Sequence, residues 1–442
     1  MNSSPGKIGL WKTTSLVAGN MIASGIFMLP VALASYGSLS ILGWLLSGFG
    51  AIVMALVFSW LSRHYAGAAG GPYAYSREGL GSFAGFLVAW SYWISIWSTN
   101  AAISVGFVSY LSVFIPAVKA TPANAVLTGL GAIWFLTWIN SRGVPTAGSV
   151  QLLTTVMKMI PLVAIAGLGL FYIKTANFSA FNVSGMSDFE AISATATLTL
   201  FAFLGLECAT IPAGSVQDPE KTVPRATMLG TILVTIVYIL GTVAVMGIIP
   251  IGDLQQSNAP FSDAAAAIWG EQARYWVAGG AVVSTFGALN GWILMQGQIP
   301  AAAAADKLLP AFFGKMNRFA VPGGSLIGSS VLITILLIMN FSGKLADTYK
   351  LIILLSTMCA LVAYILSMAS YMVIAARKVH EPRRRLVHIS VAFVGFLYAL
   401  LAIWGAGKDS VYYGLLFVLA GVPLFALQRI RMSQEADQHP LT

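Results

Sequence analysis

The 442-residue chain has few charged residues, and this scarcity excludes most classes of protein. Only 9% of its residues are charged, whereas soluble proteins carry about 25%. Its two cysteines, Cys208 and Cys359, both lie in apolar runs, so neither a disulfide framework nor a cysteine-based metal site is predicted. We therefore expect no soluble enzyme, no nucleic-acid-binding domain and no disordered chain.

Apolar sequence fills the chain instead. Apolar residues make up 57% of it, and the mean hydropathy is +0.81. A helix needs about 20 apolar residues to cross a bilayer, and the hydrophobic stretches number twelve. These stretches, called spans 1 to 12 below, are 10–34, 39–61, 84–115, 124–140, 150–173, 193–213, 228–248, 274–297, 325–341, 351–375, 388–406 and 411–427. The sequence therefore predicts an all-α polytopic membrane protein with about 12 transmembrane helices, because a β-barrel would show short alternating segments.

The basic residues are distributed unevenly between the two sides of the predicted bundle. Seventeen of the 24 Lys and Arg residues lie on the side of the N-terminus, six lie on the opposite side, and Lys158 falls within span 5. Because cytoplasmic loops are enriched in Lys and Arg, we expect a multi-pass protein of the cell inner (plasma) membrane with both termini in the cytoplasm. The net charge of +9 then reflects topology and the headgroups of the lipid bilayer, and no nucleic-acid partner is predicted.

Two ionisable residues lie at membrane depth. Glu207 alone among the 15 acidic residues falls within a span, and Lys158 is its cationic counterpart. A charge at this depth is costly unless it is paired, neutralised or next to a wet cavity, so each residue is a candidate for function. Structural roles stay open: Glu207 as a protonated carboxyl bonded to a neighbouring helix, and Lys158 as a cation that ties helices together.

Spans 1 and 6 each carry glycines inside an apolar run. Span 1 reads VAGNMIASGIFMLP, with Gly19, Ser24 and Gly25 near its middle, and span 6 reads FAFLGLECATIPAG, with Gly205 beside Glu207. Two such interruptions in corresponding helices of two five-helix halves are typical of inverted-repeat transporters. The unwound backbone offers N–H groups to a substrate carboxylate. Glycine in a membrane helix also serves packing alone, which is the alternative for each position.

Several segments make the chain recognisable: GNMIASGIFMLP, GGPYAYSREGLG, FAFLGLE followed by DPEKTVPRAT, and GWILMQGQIPAAAAADKLLP. With them the chain resembles the amino acid–polyamine–organocation (APC) superfamily over nearly its whole length. The most similar members are the basic amino acid/polyamine antiporters, among them the arginine:agmatine antiporters. The resemblance implies one transporter domain over 1–442, with inverted repeats at 10–173 and 193–375 and two extra helices at 388–427. In this family the extra helices often form the interface of a homodimer.

The resemblance also implies a substrate site between spans 1 and 6. The substrate α-carboxylate would meet N–H groups of span 1, and its α-amino group would meet carbonyls of span 6. The residues that match these backbone positions are Ala23, Ser24 and Gly25 in span 1 and Phe201, Ala202 and Leu204 in span 6. The residues that match pocket-lining positions are Asn20, Ser95, Ile96, Asn100 and Ser356, and those that match aromatic gating positions are Tyr92, Trp292 and Tyr364. Aromatic faces and amide oxygens bind ammonium and guanidinium groups, although a single aromatic residue is as readily explained by lipid contact or core packing.

Four further expectations follow from the resemblance. Phe201 stands where the arginine:agmatine antiporters have a tryptophan, and phenylalanine is the weaker cation–π partner. Lys158 resembles the lysine that replaces a sodium ion in proton-coupled, sodium-independent relatives, so sodium coupling is not expected. It could hold the fold or titrate during transport, since a buried lysine readily shifts its pKa, and it is a candidate for proton coupling. Glu207 matches a glutamate implicated in proton coupling. Tyr73 matches a position beside the cytoplasmic gate, unless its segment is merely a connecting surface helix.

We therefore expect a secondary active transporter that works by alternating access. It would exchange a cationic amino acid (arginine, lysine or ornithine) for a related amino acid or a decarboxylated amine. A proton-coupled symporter of neutral amino acids is the alternative, motivated by Lys158 and Phe201. An enzyme is not expected, because the four histidines lie in loops, at a span end or in the tail, and a channel does not account for two broken helices. No catalytic residue, metal site or cofactor is predicted.

Overall fold

The structure is a computed structural model that describes residues 8–65, 70–142, 147–211, 213, 216–340 and 345–438. Nearly all of these residues lie in helices or in the short loops between them. Two isolated β-bridges, Ile8 to Val216 and Met316 to Pro322, are the extended pairings found within these ranges. The predicted all-α class is therefore confirmed.

The first five spans follow the predicted stretches closely. Span 1 consists of two helices, Leu10–Met21 and Gly25–Ala34. Spans 2 to 5 are the helices Ser40–His64, Ser82–Leu111, Pro122–Asn140 and Ala147–Leu168. The helix Pro72–Leu80 joins spans 2 and 3, and short 3₁₀ helices lie at Pro116–Lys119, Gly169–Tyr172 and Thr175–Phe178.

Span 6 is a second interrupted span, and the remaining spans are long helices. Span 6 is the helix Asp188–Leu200 followed by 3₁₀ turns at Phe201–Phe203 and Cys208–Thr210. Spans 7 to 11 are the helices Pro219–Ile248, Glu271–Ala305, Gly323–Asn340, Leu345–Lys378 and Pro382–Gly405. Span 12 is divided into Lys408–Leu419 and Val422–Gln438, and the short helices Ile251–Leu254, Pro260–Trp269 and Ala311–Gly314 lie in loops.

Among the described residues, eleven of the twelve spans are long and apolar enough to cross a membrane. The exception is span 9, whose apolar helix Gly323–Met339 is shorter. Span 7 begins earlier than predicted, at Pro219 inside the DPEKTVPRAT motif and not near 228. The reason is that proline suits the first turn of a helix, where its missing N–H has no helical partner to lose.

Burial separates central spans from peripheral ones. The most apolar windows of spans 3 and 1 are 94% and 89% buried, whereas those of spans 11 and 12 are 28% and 17% buried. Span 3 also has the lowest mean hydropathy, 1.2, which a membrane helix tolerates when protein surrounds it. Spans 1 and 3 therefore lie in the middle of the bundle, and spans 11 and 12 lie at its edge.

Small residues allow spans 2 and 6 to approach closely. A Cβ added to Gly43 would lie 2.8 Å from the backbone carbonyl carbon of Thr195 and closer still to the Thr195 side chain. Membrane helices are held together by such close packing, since lipid chains are as apolar as the helices themselves. The contact places the first half of span 6 against span 2.

Gly43→Ala is expected to destabilise the protein, because the added methyl group fits only if spans 2 and 6 move apart. Overpacking of this kind costs about 1–3 kcal/mol. Thermal unfolding in detergent, monitored by size-exclusion chromatography, should give the variant a lower midpoint than the wild-type protein. Gly131→Ala in span 4 is the matched control, since a Cβ there meets nothing within 4 Å. An equal loss in both variants would contradict the prediction.

Candidate functional site

Both predicted helix breaks are present. Span 1 is unwound at residues 22–24, between its two helices. Span 6 leaves the α-helix after Leu200, and Gly205 has a φ of +103°. Glycine is the residue that adopts this left-handed backbone without strain. The discontinuity of spans 1 and 6 is therefore confirmed.

The two breaks touch each other. A Cβ added to Gly25 would lie 2.9 Å from the Cβ of Ala202, and one added to Gly205 would lie 3.3 Å from the Cβ of Asn20. Gly25 and Gly205 thus bring the unwound backbones of spans 1 and 6 side by side. Ser24, the last residue of the span 1 break, is fully buried.

Lys158 binds the carbonyl end of the span 1 break. A helix leaves its last carbonyls without helical partners, and Lys158 Nζ donates to the Gly19 carbonyl at 2.5 Å and to the Ile22 carbonyl at 2.8 Å. Ser284 Oγ in span 8 also donates to the Ile22 carbonyl, at 3.3 Å. A cation is favoured at this end of a helix by the helix dipole as well. Lys158, 1% exposed, therefore ties span 5 to span 1.

Two aromatic side chains donate to the carbonyls of Asn20 and Met21, which lie between the two carbonyls that Lys158 binds. Trp292 Nε1 in span 8 donates to the Asn20 carbonyl at 3.1 Å. The Tyr238 hydroxyl in span 7 lies 2.6 Å from the Met21 carbonyl and 3.2 Å from the Ala202 carbonyl. Tyr238 thus contacts both breaks, although the sequence analysis did not single it out.

The opposite side of the break presents N–H groups. The Ala23 N–H donates to the Met21 carbonyl at 2.8 Å, and Met28 N–H is the first to donate into the following helix, at 3.0 Å to Ser24. The N–H groups of Ser24 and Gly25, like those of Ile26 and Phe27 after them, have no acceptor among the described residues. They lie at the positive end of the helix dipole, so they are the span 1 groups able to bind a carboxylate.

The span 6 carbonyls are not equally available. The Phe201 carbonyl accepts from Leu204 N–H at 3.2 Å, and the Ala202 carbonyl shares the single Tyr238 hydroxyl hydrogen with the nearer Met21 carbonyl. The Leu204 carbonyl accepts no hydrogen bond within the part of the chain that the structure describes. Of the predicted acceptors, Leu204 is therefore the one that a ligand could use directly. The Phe201 ring lies edge-on to Tyr349, 6.0 Å between centroids.

Glu207 is fully buried next to the span 6 break. The Tyr92 hydroxyl in span 3 donates to its Oε1, and the Tyr364 hydroxyl in span 10 donates to its Oε2 at 2.7 Å. The carboxyl group therefore joins span 6 to spans 3 and 10 through side chains alone. The sequence analysis named Tyr92 and Tyr364 as aromatic gating positions and Glu207 for proton coupling, and the structure brings the three into one cluster.

The remaining predicted residues lie on spans 3 and 10, near this cluster. Ser356 Oγ donates to the Ser95 carbonyl at 2.9 Å and lies 2.6 Å from Thr99 Oγ1. Ile96 is fully buried on the same span. Asn100 donates from Nδ2 to Gln296 Oε1 in span 8 at 2.8 Å. Ser95 and Ser356 thus bond to each other, which leaves their role in binding a ligand a prediction.

Tyr73 lies apart from the central site, on the N-terminal side of the bundle. Its hydroxyl and the Arg77 guanidinium both contact the carboxylate of Asp306 at the end of span 8. Burial, followed by the Asp306 hydrogen bond, raises the pKa of Tyr73 above its usual range. Hydrogen bonds to Tyr73 and Asp306 raise the pKa of Arg77. At neutral pH, Tyr73 is thus a neutral hydroxyl and Arg77 a cation.

The opposite side of the bundle carries a second charged cluster. Arg274 bonds to Asp263 and, at 2.8 Å, to Glu271. Ser257 also donates to Asp263. These contacts join the helix Pro260–Trp269 to the start of span 8. The described residues contain no group of three or more His, Cys, Asp or Glu side chains that could hold a metal ion.

The sequence analysis missed several residues that contact the site. They are Thr99, Tyr238, Ser284, Gln296 and Tyr349, all buried within spans. Asp306, which contacts Tyr73, was missed as well. Gln296 and Asp306 both lie in the GWILMQGQIPAAAAADKLLP motif, and this motif was the one signal in the sequence that pointed to them. The others are single polar residues among many in apolar spans, and no spacing distinguishes them.

Lys158→Met is expected to destabilise the protein, because methionine fills a similar space but donates no hydrogen bond. Hydrogen bonds from a charged group contribute about 1.5–3 kcal/mol each, so a lower midpoint of thermal unfolding in detergent should follow. Lys174→Met is the matched control, since Lys174 is exposed in the loop after span 5. Unchanged stability of Lys158→Met would show that the break does not depend on this cation.

Comparisons with known proteins agree with this architecture. Residues 8–425 match the amino acid permease family. The putrescine transporter PotE of Haemophilus influenzae is 31% identical over 426 residues, which cover 96% of this chain and 98% of the relative. The cadaverine/lysine antiporter of Escherichia coli K12 is 31% identical over 445 residues, covering 99% and 98%.

A solved structure supports the fold. The crystal structure of MhsT in complex with L-phenylalanine has a TM-score of 0.66 to this chain, with 15% sequence identity, and covers 92% of this chain and 100% of that one. At that identity the likeness concerns the fold alone. Taken with the match over residues 8–425, it leads to one conclusion: the chain is a multi-pass membrane protein that belongs to the amino acid permease family.

Proposed function

We propose that this protein is an antiporter that exchanges a cationic amino acid, such as lysine, arginine or ornithine, for a related amino acid or a decarboxylated amine. The observation that carries the proposal is the contact between the two unwound backbones beside the buried carboxyl group of Glu207. The names of the relatives, a putrescine transporter and a cadaverine/lysine antiporter, support this substrate class. No catalytic step and no cofactor are needed for exchange.

Substrate binding would use the unsatisfied groups of the site. The N–H groups of Ser24 and Gly25 would bind the α-carboxylate, and the Leu204 carbonyl would bind the α-amino group. The amide oxygens of Asn20 and Asn100 are buried without a donor among the described residues, so they suit a distal ammonium or guanidinium group. The residues proposed to line or gate the cavity are Ala23, Tyr92, Ser95, Ile96, Phe201, Ala202, Trp292, Ser356 and Tyr364.

Alternating access would move spans 1, 2, 6 and 7 relative to the other spans. Glu207 lies in span 6, but its hydrogen-bond donors Tyr92 and Tyr364 lie in spans 3 and 10. Its contacts therefore cross the boundary between the moving and the fixed groups. A change in the protonation of Glu207 would alter those contacts, which supports a role in coupling proton binding to transport.

The proposed arrangement in the membrane follows from the distribution of basic residues. The protein would lie in the inner membrane with both termini, and the Tyr73–Arg77–Asp306 cluster, in the cytoplasm. Residues 10–173 and 193–375 would be inverted repeats within one domain. Spans 11 and 12 expose large apolar residues, among them Trp404, Tyr412 and Leu419, and would form a homodimer interface or contact lipid.

Labelled lysine uptake into proteoliposomes tests the exchange. Vesicles would be preloaded with lysine, cadaverine, ornithine, putrescine, arginine, agmatine or buffer alone. We expect uptake into vesicles loaded with at least one of these cations to exceed uptake into buffer-loaded vesicles at least about tenfold. The reason is that the binding site of an antiporter changes back to its first orientation only when a substrate is bound. Uptake into empty vesicles driven by an inward proton gradient and blocked by alanine or leucine would instead favour neutral amino acid symport.

Glu207→Gln and Tyr73→Phe should affect the pH dependence of exchange differently. Glutamine keeps the acceptor oxygen but cannot titrate, so Glu207→Gln should flatten the rate profile between about pH 5 and pH 8. Tyr73→Phe should change the rate but keep the shape of the profile, because the raised pKa of Tyr73 keeps it protonated over this range.

The matched control for this pair is Glu381→Gln, which alters an exposed glutamate paired with Arg384. It should leave both the rate and the profile unchanged. A Glu207→Gln variant that retains the wild-type profile would exclude Glu207 as the titrating group.

A further inference from the structure

A network of buried polar side chains connects spans 3, 8 and 9. Gln296 in span 8 is fully buried. Its Nε2 donates to the Leu326 carbonyl at 3.1 Å and to Ser330 Oγ at 3.0 Å, and its Oε1 accepts from Asn100 Nδ2 at 2.8 Å. Both donor hydrogens of the Gln296 amide are therefore used, and its oxygen faces span 3.

One backbone atom fixes the direction of this network. The Leu326 carbonyl can only accept, so Gln296 must turn its NH₂ group toward span 9. The Gln296 oxygen is then the only group of that side chain left to bond to Asn100. Because this oxygen accepts, Asn100 must donate to it from its own NH₂ group. The two ends of an amide are usually hard to tell apart, but here each assignment follows from the one before it.

Asn100 is left with a buried oxygen that has no partner. Its Oδ1 accepts no hydrogen bond, and neither does Oδ1 of Asn20. The other unpaired buried side-chain atoms in the described part of the chain are hydroxyl groups or indole N–H groups, so these two amide oxygens are the only ones that can accept but not donate. A buried polar group without a partner costs about 1–3 kcal/mol, which a ligand with donor groups would remove.

Asn100 lies at the level of the two breaks. On the same helix, Tyr92 bonds to Glu207, and Gly106 packs against Ser24, with an added Cβ 2.6 Å from the Ser24 Cβ. Asn100 lies between them, about 12 Å beyond Tyr92 and about 9 Å before Gly106 at 1.5 Å per residue. Asn100 therefore lies at the depth of the central site along span 3, between the two residues that contact spans 6 and 1.

We propose that Gln296 is a positioning residue for substrate specificity. It holds the Asn100 amide so that the site offers a fixed acceptor, which favours a distal ammonium or guanidinium group over an apolar or acidic one. An ammonium group has three donors and no acceptor, so it can bond to the Asn100 oxygen, whose orientation the Gln296 bond fixes. This inference rests on the proposed function and adds a determinant of its substrate class.

Gln296→Met tests the inference, because methionine has a similar volume but makes none of the three hydrogen bonds. Without them the Asn100 amide can rotate and present either end. The measurement is the ratio of the affinities for lysine and norleucine, which differ by the distal ammonium group. Affinities come from competition in the exchange assay and from ligand-induced thermal stabilisation of the purified protein. We expect the preference for lysine to fall at least about tenfold, with little change for norleucine.

Two further variants separate positioning from a general structural effect. Asn100→Asp in the Gln296→Met background should restore the preference for lysine, because both carboxylate oxygens accept whichever way the group is turned. Gln298→Met is the matched control, since Gln298 lies two residues further along span 8 but is exposed. It should leave the ratio unchanged.

If Gln296→Met does not purify as a folded protein, Gln296→Leu is measured in its place with the same expectation.

The outcomes are distinguishable from those of the proposed function. A wild-type protein that neither exchanges nor binds lysine, arginine or ornithine overturns the proposed function, and the inference with it. A wild-type protein that exchanges lysine, combined with a Gln296→Met variant of unchanged lysine-to-norleucine ratio, overturns the inference alone. An equal loss of affinity for both ligands also overturns it, because that result indicates a role in folding and not in specificity.

Discussion

The unwinding of span 1 leaves backbone carbonyls unpaired inside an apolar bundle, and neighbouring spans supply the groups that satisfy them. An unpaired backbone group at membrane depth costs several kcal/mol. Lys158, Tyr238 and Trp292, from spans 5, 7 and 8, each donate to carbonyls at the end of the first half-helix. No comparable acceptors reach the N–H groups of Ser24 and Gly25 among the described residues. The break is therefore satisfied at its carbonyl end, whereas its N–H end keeps donors without a partner.

The two buried charged residues are held by different kinds of partner, and this difference separates their roles. Lys158 donates to two backbone carbonyls, which can only accept, and its nitrogen has enough N–H groups for both bonds with or without its third proton. Glu207 bonds to the hydroxyls of Tyr92 and Tyr364. A hydroxyl can donate or accept, so one tyrosine can reverse its bond when the carboxyl gains a proton. The direction of the Lys158 bonds is thus the same in either protonation state, whereas a change of protonation at Glu207 reverses the direction of a bond.

The sequence was sufficient to predict the fold and the breaks in spans 1 and 6, but not the contacts around those breaks. Glycines in two apolar runs predicted both breaks, because the two interruptions fall in corresponding helices of the two five-helix halves. Tyr238 and Gln296 were missed, since their roles depend on which spans lie next to each other. Span 7 was predicted to begin too late because its first turns are polar, although Pro219 suits a helix start.

The hydrogen-bonding directions of the site together describe one kind of ligand. Donors lie at Ser24 and Gly25, and acceptors lie at the Leu204 carbonyl and at the Asn20 and Asn100 amide oxygens. A zwitterion with a cationic tail satisfies all of them, because its carboxylate accepts while both of its amino groups donate. A decarboxylated amine has no anionic group, so water must take its place at the two N–H groups. An exchanger of both ligands therefore needs acceptors that serve either substrate at the distal end, and a fixed Asn100 oxygen provides one of them.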